Sequence, residues 1–164
     1  MQVVIVGAGH GGGHLATSLA KLNPDARITL VGGEAVLPYQ RPPLSKAFLA
    51  GDMMESRLYL RPEHVYDQAG IVRYLGVSVV QIDTELQSIK LSNGEWLSYD
   101  KLVLATGARA RVLDIQGRGL EGVFCLRSLS DVDRMRPRFE AAKSIAILGG
   151  GYIAFTVDDK ATGG

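Results

Sequence analysis

The chain has one cysteine, Cys125, one tryptophan, Trp96, and no apolar run long enough to span a membrane. A lone cysteine excludes an internal disulfide and fits a reducing, cytoplasmic setting. It is read as a small buried apolar residue rather than a reactive thiol. Charge of one sign is also lacking. Eighteen basic and 17 acidic residues leave a net charge of +1, which speaks against a nucleic-acid surface or an acidic-membrane binder. The three histidines form no cluster with cysteine, so no metal site is expected. His14 and His64 are read as surface or helix-face residues, and His10 as a residue lining a turn. The apolar start runs straight into glycines, unlike a signal peptide. The length of 164 residues suits one domain with a substantial core.

What is present begins at the first residues. Val3-Val-Ile-Val6 is an unbroken β-branched and aliphatic run, as in a strand buried on both faces of a parallel sheet. The turn after it reads Gly7-Ala8-Gly9-His10-Gly11-Gly12. Gly7 allows a tight turn, Gly9 lets the backbone approach a pyrophosphate, and Gly12 lets the next helix lie close to the strand. The helix start offers unpaired N–H groups and a positive dipole end to phosphates. A helical pattern through Leu15, Leu19 and Leu22 follows, then a stop at Asn23-Pro24-Asp25 and a second strand over 26–31. Glu34 lies where a ribose hydroxyl needs an acceptor. Together these predict a dinucleotide site.

Leu37-Pro-Tyr-Gln-Arg-Pro-Pro-Leu-Ser-Lys46 carries three prolines, which exclude a regular strand or helix interior. A short helix is expected from Leu44 or Ser45 to near Gly51. The rigid segment with Tyr39, Arg41 and Lys46 is expected to bind rather than merely connect. Pro62 opens a helix ending near Gln68, and residues 71–74 read as a short parallel strand. Strands over 77–82, 87–91 and 96–99, with Asn93-Gly94 between the last two, predict a small antiparallel meander with Trp96 packed on one face.

Residues 101–105 read as a buried central strand ending in Thr106-Gly107-Ala108, a turn at the carboxyl end of the sheet. An irregular loop over 108–127 follows. Ser130 is expected to cap a helix that Pro137 shortens or kinks, with Arg134, Arg136 and Arg138 as a solvated face. Residues 144–148 read as another buried strand. Gly149-Gly-Gly151-Tyr-Ile-Ala154 then repeats the strand–glycine–helix start, which points to two dinucleotides. The fold class expected is α/β: a Rossmann-like dinucleotide-binding domain with a parallel sheet plus a small antiparallel β-meander.

These residues resemble the FAD-dependent ferredoxin, rubredoxin and putidaredoxin reductases, a branch of the pyridine nucleotide–disulfide oxidoreductase superfamily. The pieces that carry the resemblance are the first glycine turn, Leu37 to Lys46, Tyr99-Asp-Lys-Leu-Val-Leu-Ala-Thr-Gly-Ala108, Leu126-Arg-Ser-Leu129 and Leu148-Gly-Gly-Gly-Tyr-Ile153. In this branch Pro-Pro-Leu-Ser-Lys stands where disulfide reductases carry a redox-active cysteine pair. The resemblance implies hydride delivery from NAD(P)H to flavin N5, then single electrons to a ferredoxin- or rubredoxin-type partner. It implies that Gly7, Ala8, Gly9, His10 and Gly12 hold the FAD pyrophosphate and that Glu34 holds the adenosine ribose. Arg41, Lys46 and Arg127 are implied to contact FAD, with Lys46 as the catalytic residue nearest the flavin ring. Val79 is implied to pack beside adenine, and Ala105, Thr106 and Gly107 beside the pyrophosphate. Gly149 and Gly151 are implied to begin the NAD site.

Some positions depart from the family pattern. Gly33 stands in place of an acid, so the ribose contact rests on Glu34. Thr156 stands in place of the glutamate expected to pair with Lys46. The domains expected are an incomplete FAD-binding domain over 1–143 and the truncated start of an NAD(P)-binding unit over 144–164. The returning FAD segment and the interface domain are expected to be missing. The alternative function is a non-catalytic flavin or nucleotide module that self-associates through an exposed sheet edge. A third reading, a minimal NAD-binding protein, accommodates neither the proline-rich loop nor the meander.

Overall fold

The computed structural model describes residues 1–111 and 114–149. They fall into two compact units, one of Met1–Gln40 with Tyr59–Gly107 and one built from Arg41–Leu58 and the chain after Gly107. Each unit is described by itself.

The first unit is built on a four-stranded parallel sheet. Its strands are β1 (Gln2–Val6), β2 (Arg27–Gly32), β3 (Val72–Leu75) and β7 (Lys101–Leu104), in the order β3-β2-β1-β7. Between β1 and β2 lies the helix α1 (His10–Leu22), and before β3 lies the short helix α2 (Glu63–Gln68). β4 (Val79–Asp83), β5 (Ser88–Leu91) and β6 (Trp96–Ser98) form the expected antiparallel meander. Gly94 at φ 93° turns the chain between β5 and β6, a conformation that glycine adopts without strain.

The burial of β1 explains its composition. Val3 and Ile5 pack with Ala16 of α1 and Tyr66 of α2. Val4 and Val6 pack on the opposite face, with Ile89 and Leu91 of β5 and Tyr99. Helices cover one face of the sheet and the meander covers the other. That two-sided cover is what an unbroken apolar strand needs.

The second unit carries a 3-10 helix, Pro42–Ser45, and the helix α3 (Leu129–Ala141). The short helix expected from Leu44 or Ser45 to near Gly51 instead begins at Pro42 and ends at Ser45, and the prolines stay out of a helix interior as expected. They occupy its first positions, where no N–H is required and φ is already suitable.

Several sequence expectations are corrected. The 101–104 strand is the edge of the described sheet, not its centre, and Leu104 is 61% exposed. An apolar run reads the same whether one neighbour or two will cover it. Trp96 is exposed, with the Lys90 ammonium over its ring, because β6 turns it away from the core. Cys125 is exposed, since its loop has no strand or helix of its own to pack. Ser128 caps α3, in place of Ser130, and forms a capping box with Asp131. The helix continues through Pro137 to Ala141, so the proline, which removes one N–H donor, does not end it there.

Residues 144–149 form no strand, and Ile145, Ile147 and Leu148 are exposed. Among the described residues no neighbouring strand pairs with them. Gly149 takes φ 112°, while Gly151 and Thr156 lie outside the described residues.

Candidate functional site

The carboxyl ends of β1, β2 and β7 converge on the glycine turn. The Gly7 N–H donates to the Val31 carbonyl at 2.7 Å, and the Ala105 N–H donates to the Val6 carbonyl at 2.7 Å. Gly7 sits at φ 114°, and a Cβ there would lie 2.1 Å from the Ala105 carbonyl oxygen. A Cβ on Gly12 would lie 1.8 Å from the Gly7 carbonyl oxygen, so the first turn of α1 folds directly onto the glycine turn. Gly32 belongs to the same close packing, because its Cβ would meet the Ala8 methyl at 2.4 Å. Sequence reasoning overlooked Gly32; its signal was a glycine directly at the end of a buried strand.

Gly9 is different. It has an ordinary extended backbone, φ −84° and ψ −166°. A Cβ there would have nothing within 4 Å. Neither conformation nor internal packing demands glycine at this position. The space its missing side chain leaves open faces outward at the start of α1, where Gly9 is the N-cap, no side chain caps the helix and no acid occupies the first turn. Such a helix start is suited to receive an anion.

Glu34 lies just past β2, and the buried Tyr39 hydroxyl donates to its Oε2 at 2.6 Å. Tyr39 had been expected on a binding loop. It is 3% exposed, and its hydroxyl meets Glu34. Gly33 is exposed, and its Cβ would come 3.2 Å from the Ser78 hydroxyl oxygen.

Val79 and Thr106 line one open groove with Val6, Val80, Ile82 and Leu104, of about 390 Å³. The structure thus brings Gly7, Ala8, Gly9, Gly12, Ala105 and Thr106 to one end of the sheet, with Val79 beside Thr106. His10, Thr106 and Gly107 are exposed, and Glu34 is half-buried.

Arg41, Lys46 and Arg127 belong to the second unit. There the Arg41 guanidinium donates to the Arg127 carbonyl at 2.6 Å, and the Arg127 Nε donates to the Ala108 carbonyl at 3.3 Å. Lys46 is exposed at the end of the 3-10 helix. Arg134 pairs with Asp131 and Arg138 with Glu121, but Arg136 does not lie on a solvated face as expected. Its guanidinium stacks on Phe48. An i-to-i+4 pattern cannot show that contact, because Phe48 is 88 residues away.

Among the described residues no group of three His, Cys, Asp or Glu side chains is placed to hold a metal. Among the same residues no helix is long and apolar enough to cross a membrane.

Comparison with known proteins decides the family. Residues 1–157 match the pyridine nucleotide-disulphide oxidoreductase family. The chain belongs to this family. Its relatives include a rubredoxin-NAD(+) reductase of Pseudomonas putida, 42% identical over 99% of this chain and 42% of the relative. A rhodocoxin reductase of Rhodococcus erythropolis is 40% identical over 96% of this chain and 37% of its own. Among solved structures, a ferredoxin reductase from Rhodopseudomonas palustris superposes with a TM-score of 0.94 at 38% identity, over 99% of this chain and 40% of that one. The reductase in a covalent putidaredoxin reductase–putidaredoxin complex gives 0.87 at 37% identity, over 99% and 40%. The chain therefore spans about two fifths of the length of these relatives. The family consists of FAD-dependent oxidoreductases that use NAD(P)H.

The residues of the first unit fit a dinucleotide of that kind. The open space at Gly9, the uncapped helix start and a fixed carboxylate past β2 match a pyrophosphate and a ribose in turn.

Proposed function

We propose that this chain is the FAD-binding part of an NAD(P)H-dependent reductase of ferredoxin or rubredoxin type. The observation that carries the reading is Gly9, a glycine that neither φ nor packing requires, at the N-cap of a helix with no capping side chain. Bound FAD supplies an acceptor for a hydride and a donor of single electrons. The chain's own residues bind and orient it. Backbone N–H groups from Gly9 to Gly12 receive the pyrophosphate, with Ala8 and His10 beside them. Glu34, held by Tyr39, accepts from the adenosine ribose. Ala105, Thr106 and Gly107 line the pyrophosphate side, and Val79 lies on the adenine side.

The roles of Arg41, Lys46 and Arg127 toward the flavin rest on the family resemblance. Lys46 supplies a fixed cation that favours the reduced, anionic flavin. Gly149 and Gly151 are proposed to begin the NAD(P) unit after an FAD-binding domain over 1–143. The electron acceptor is a small iron–sulfur or rubredoxin-type protein, and the setting is cytoplasmic.

Titration of the purified chain with FAD and with NAD, followed by flavin fluorescence and calorimetry, tests the reading. FAD is expected to bind more tightly than NAD. Tighter NAD binding, or no FAD binding at all, refutes it.

A second reading is a non-catalytic module that self-associates. Leu104 on the β7 edge, with Val80 and Ile82 in the adjoining groove, favours it because an apolar strand edge is a template for pairing. Sedimentation of the chain with and without FAD separates the two readings. A monomer at all concentrations excludes the second.

A further inference from the structure

The segment Arg41–Leu58, which carries Lys46, is fastened to the region of α3 at two points. At its start the Arg41 guanidinium donates to the Arg127 carbonyl. The Arg127 N–H in turn donates to Asp131 Oδ2 at 3.1 Å, the carboxylate of the α3 capping box. Farther along, the Arg136 guanidinium carbon lies 4.7 Å from the centre of the Phe48 ring, and its Nη2 donates to the Phe48 carbonyl. Phe48 is 3% exposed.

The same few residues hold the turn around Lys46. The N–H groups of Lys46 and Phe48 both donate to the Pro43 carbonyl, at 3.0 and 3.1 Å. The Ala50 N–H donates to the Lys46 carbonyl at 3.0 Å, and the Gly51 N–H to the Phe48 carbonyl at 3.1 Å. Any movement of Phe48 therefore moves the frame from which the Lys46 side chain projects. Of the three arginines in α3, Arg134 and Arg138 each meet a carboxylate. Among the described residues Arg136 meets none, and it gives both its flat face and a donor to Phe48.

We propose that Arg136 is a positioning residue, which clamps Phe48 and so fixes the turn that presents Lys46 to the flavin. The flavin half of this inference rests on the assignment of Lys46 proposed above. The clamp needs arginine. A guanidinium stacks on an aromatic face and donates in its own plane at once, which an ammonium cannot do.

Hydrogen exchange of the flavin-free chain tests the clamp. In Arg136→Ala the amides of Lys46, Phe48, Ala50 and Gly51 are expected to exchange about tenfold faster, the loss of one charge-assisted bond and one stack. The amides of β1 keep their protection. Arg136→Lys falls between wild type and Arg136→Ala. Unchanged exchange at those amides overturns the clamp. If Arg136→Ala fails to fold, Phe48→Leu replaces it, since it keeps most of the buried volume and the carbonyl but removes the ring. The same local loosening is expected, and its absence is equally fatal.

In the FAD-loaded chain, Arg136→Ala is expected to lower the ratio of reduced to oxidised flavin affinity severalfold. Faster exchange with an unchanged ratio overturns the link to the flavin and leaves the clamp. A wild-type chain that binds no FAD removes the proposed function and with it the flavin link, while the exchange result still decides the clamp.

Discussion

The buried hydroxyl of Tyr39 donates to Glu34 Oε2 over 2.6 Å, so the carboxylate past β2 is held by a residue five positions farther along the chain. A carboxylate already oriented loses less freedom when it accepts from a ribose. Tyr39→Phe removes the donor and leaves the ring. The expected cost is about 1–2 kcal/mol of stability, read by urea unfolding, as for a hydrogen bond to a charged group. FAD affinity is expected to fall by roughly three- to tenfold, because a hydrogen bond that orients Glu34 is lost. An unchanged FAD affinity would show that Glu34 does not hold the ribose.

The glycines of the turn separate folding from binding. Gly12→Ala places a methyl 1.8 Å from the Gly7 carbonyl oxygen, and backbone must move to admit it. It is expected to cost about 2–3 kcal/mol or to prevent folding. Gly9→Ala meets no atom within 4 Å at a backbone conformation open to any residue. Its melting temperature is expected to stay near wild type, a change of about 0.5 kcal/mol or less. FAD affinity is expected to fall at least about tenfold, because the methyl occupies the approach of the pyrophosphate. Thermal melts and FAD titrations of the two variants check both halves. Full FAD affinity in Gly9→Ala would refute the cradle.

The first unit was legible because local signals and tertiary demands agree there. The run Val3 to Val6, the spacing of Gly7, Gly9 and Gly12, and Asn93-Gly94 each have a local cause that the fold retains. The misreadings concern what a short window cannot contain. Leu104 looks like any buried strand residue, because nothing in residues 101–104 says how many neighbours the strand will have. Arg136 looked like a surface group, and the burial of Tyr39 was not legible, because their partners are set by packing, Phe48 across 88 residues and Glu34 across a loop. Ser128 was passed over for Ser130, although the pattern Ser128-x-x-Asp131 was present. There the signal existed and was misweighted.

Asp131 gives a pH dependence with a definite sign. Burial opposes its ionisation and is the largest single influence. Hydrogen bonds from the Ser128 hydroxyl and N–H, from Arg134 and from the Arg127 N–H together outweigh it, so the carboxyl titrates below its ordinary 3.8. The folded value lies below the unfolded one, so the ionised carboxylate stabilises the fold above about pH 3.8 and that contribution is lost as pH falls through the lower, folded value. Asp131→Asn is expected to lower stability near neutral pH by about 1 kcal/mol, in the range of a lost helix cap. The deficit is expected to shrink steadily below pH 3.8. A deficit that stays constant down to acid unfolding would mean the charge contributes nothing.

Tyr66 supplies the opposite kind of test. It is fully buried between α2 and the sheet, and among the described residues its hydroxyl has no hydrogen-bond partner. Burial pushes its ionisation up from 10.0, against the pull of Arg61 and Arg73. The Arg73 guanidinium lies 5.6 Å from the ring centre and is held by Glu63 and Asp67. An unpaired buried hydroxyl costs its desolvation without return. Tyr66→Phe keeps the ring, the packing on Val3 and Ile5, and the face that Arg73 covers. It is therefore expected to leave stability unchanged or raise it by up to about 1 kcal/mol. Tyr66→Leu, which removes the ring, is expected to cost about 2 kcal/mol or more through lost packing and the lost cation–π contact. Chemical unfolding of the two variants measures the difference directly. A clear loss in Tyr66→Phe would mean that the hydroxyl makes a hydrogen bond in the native core, as an ordered water can supply.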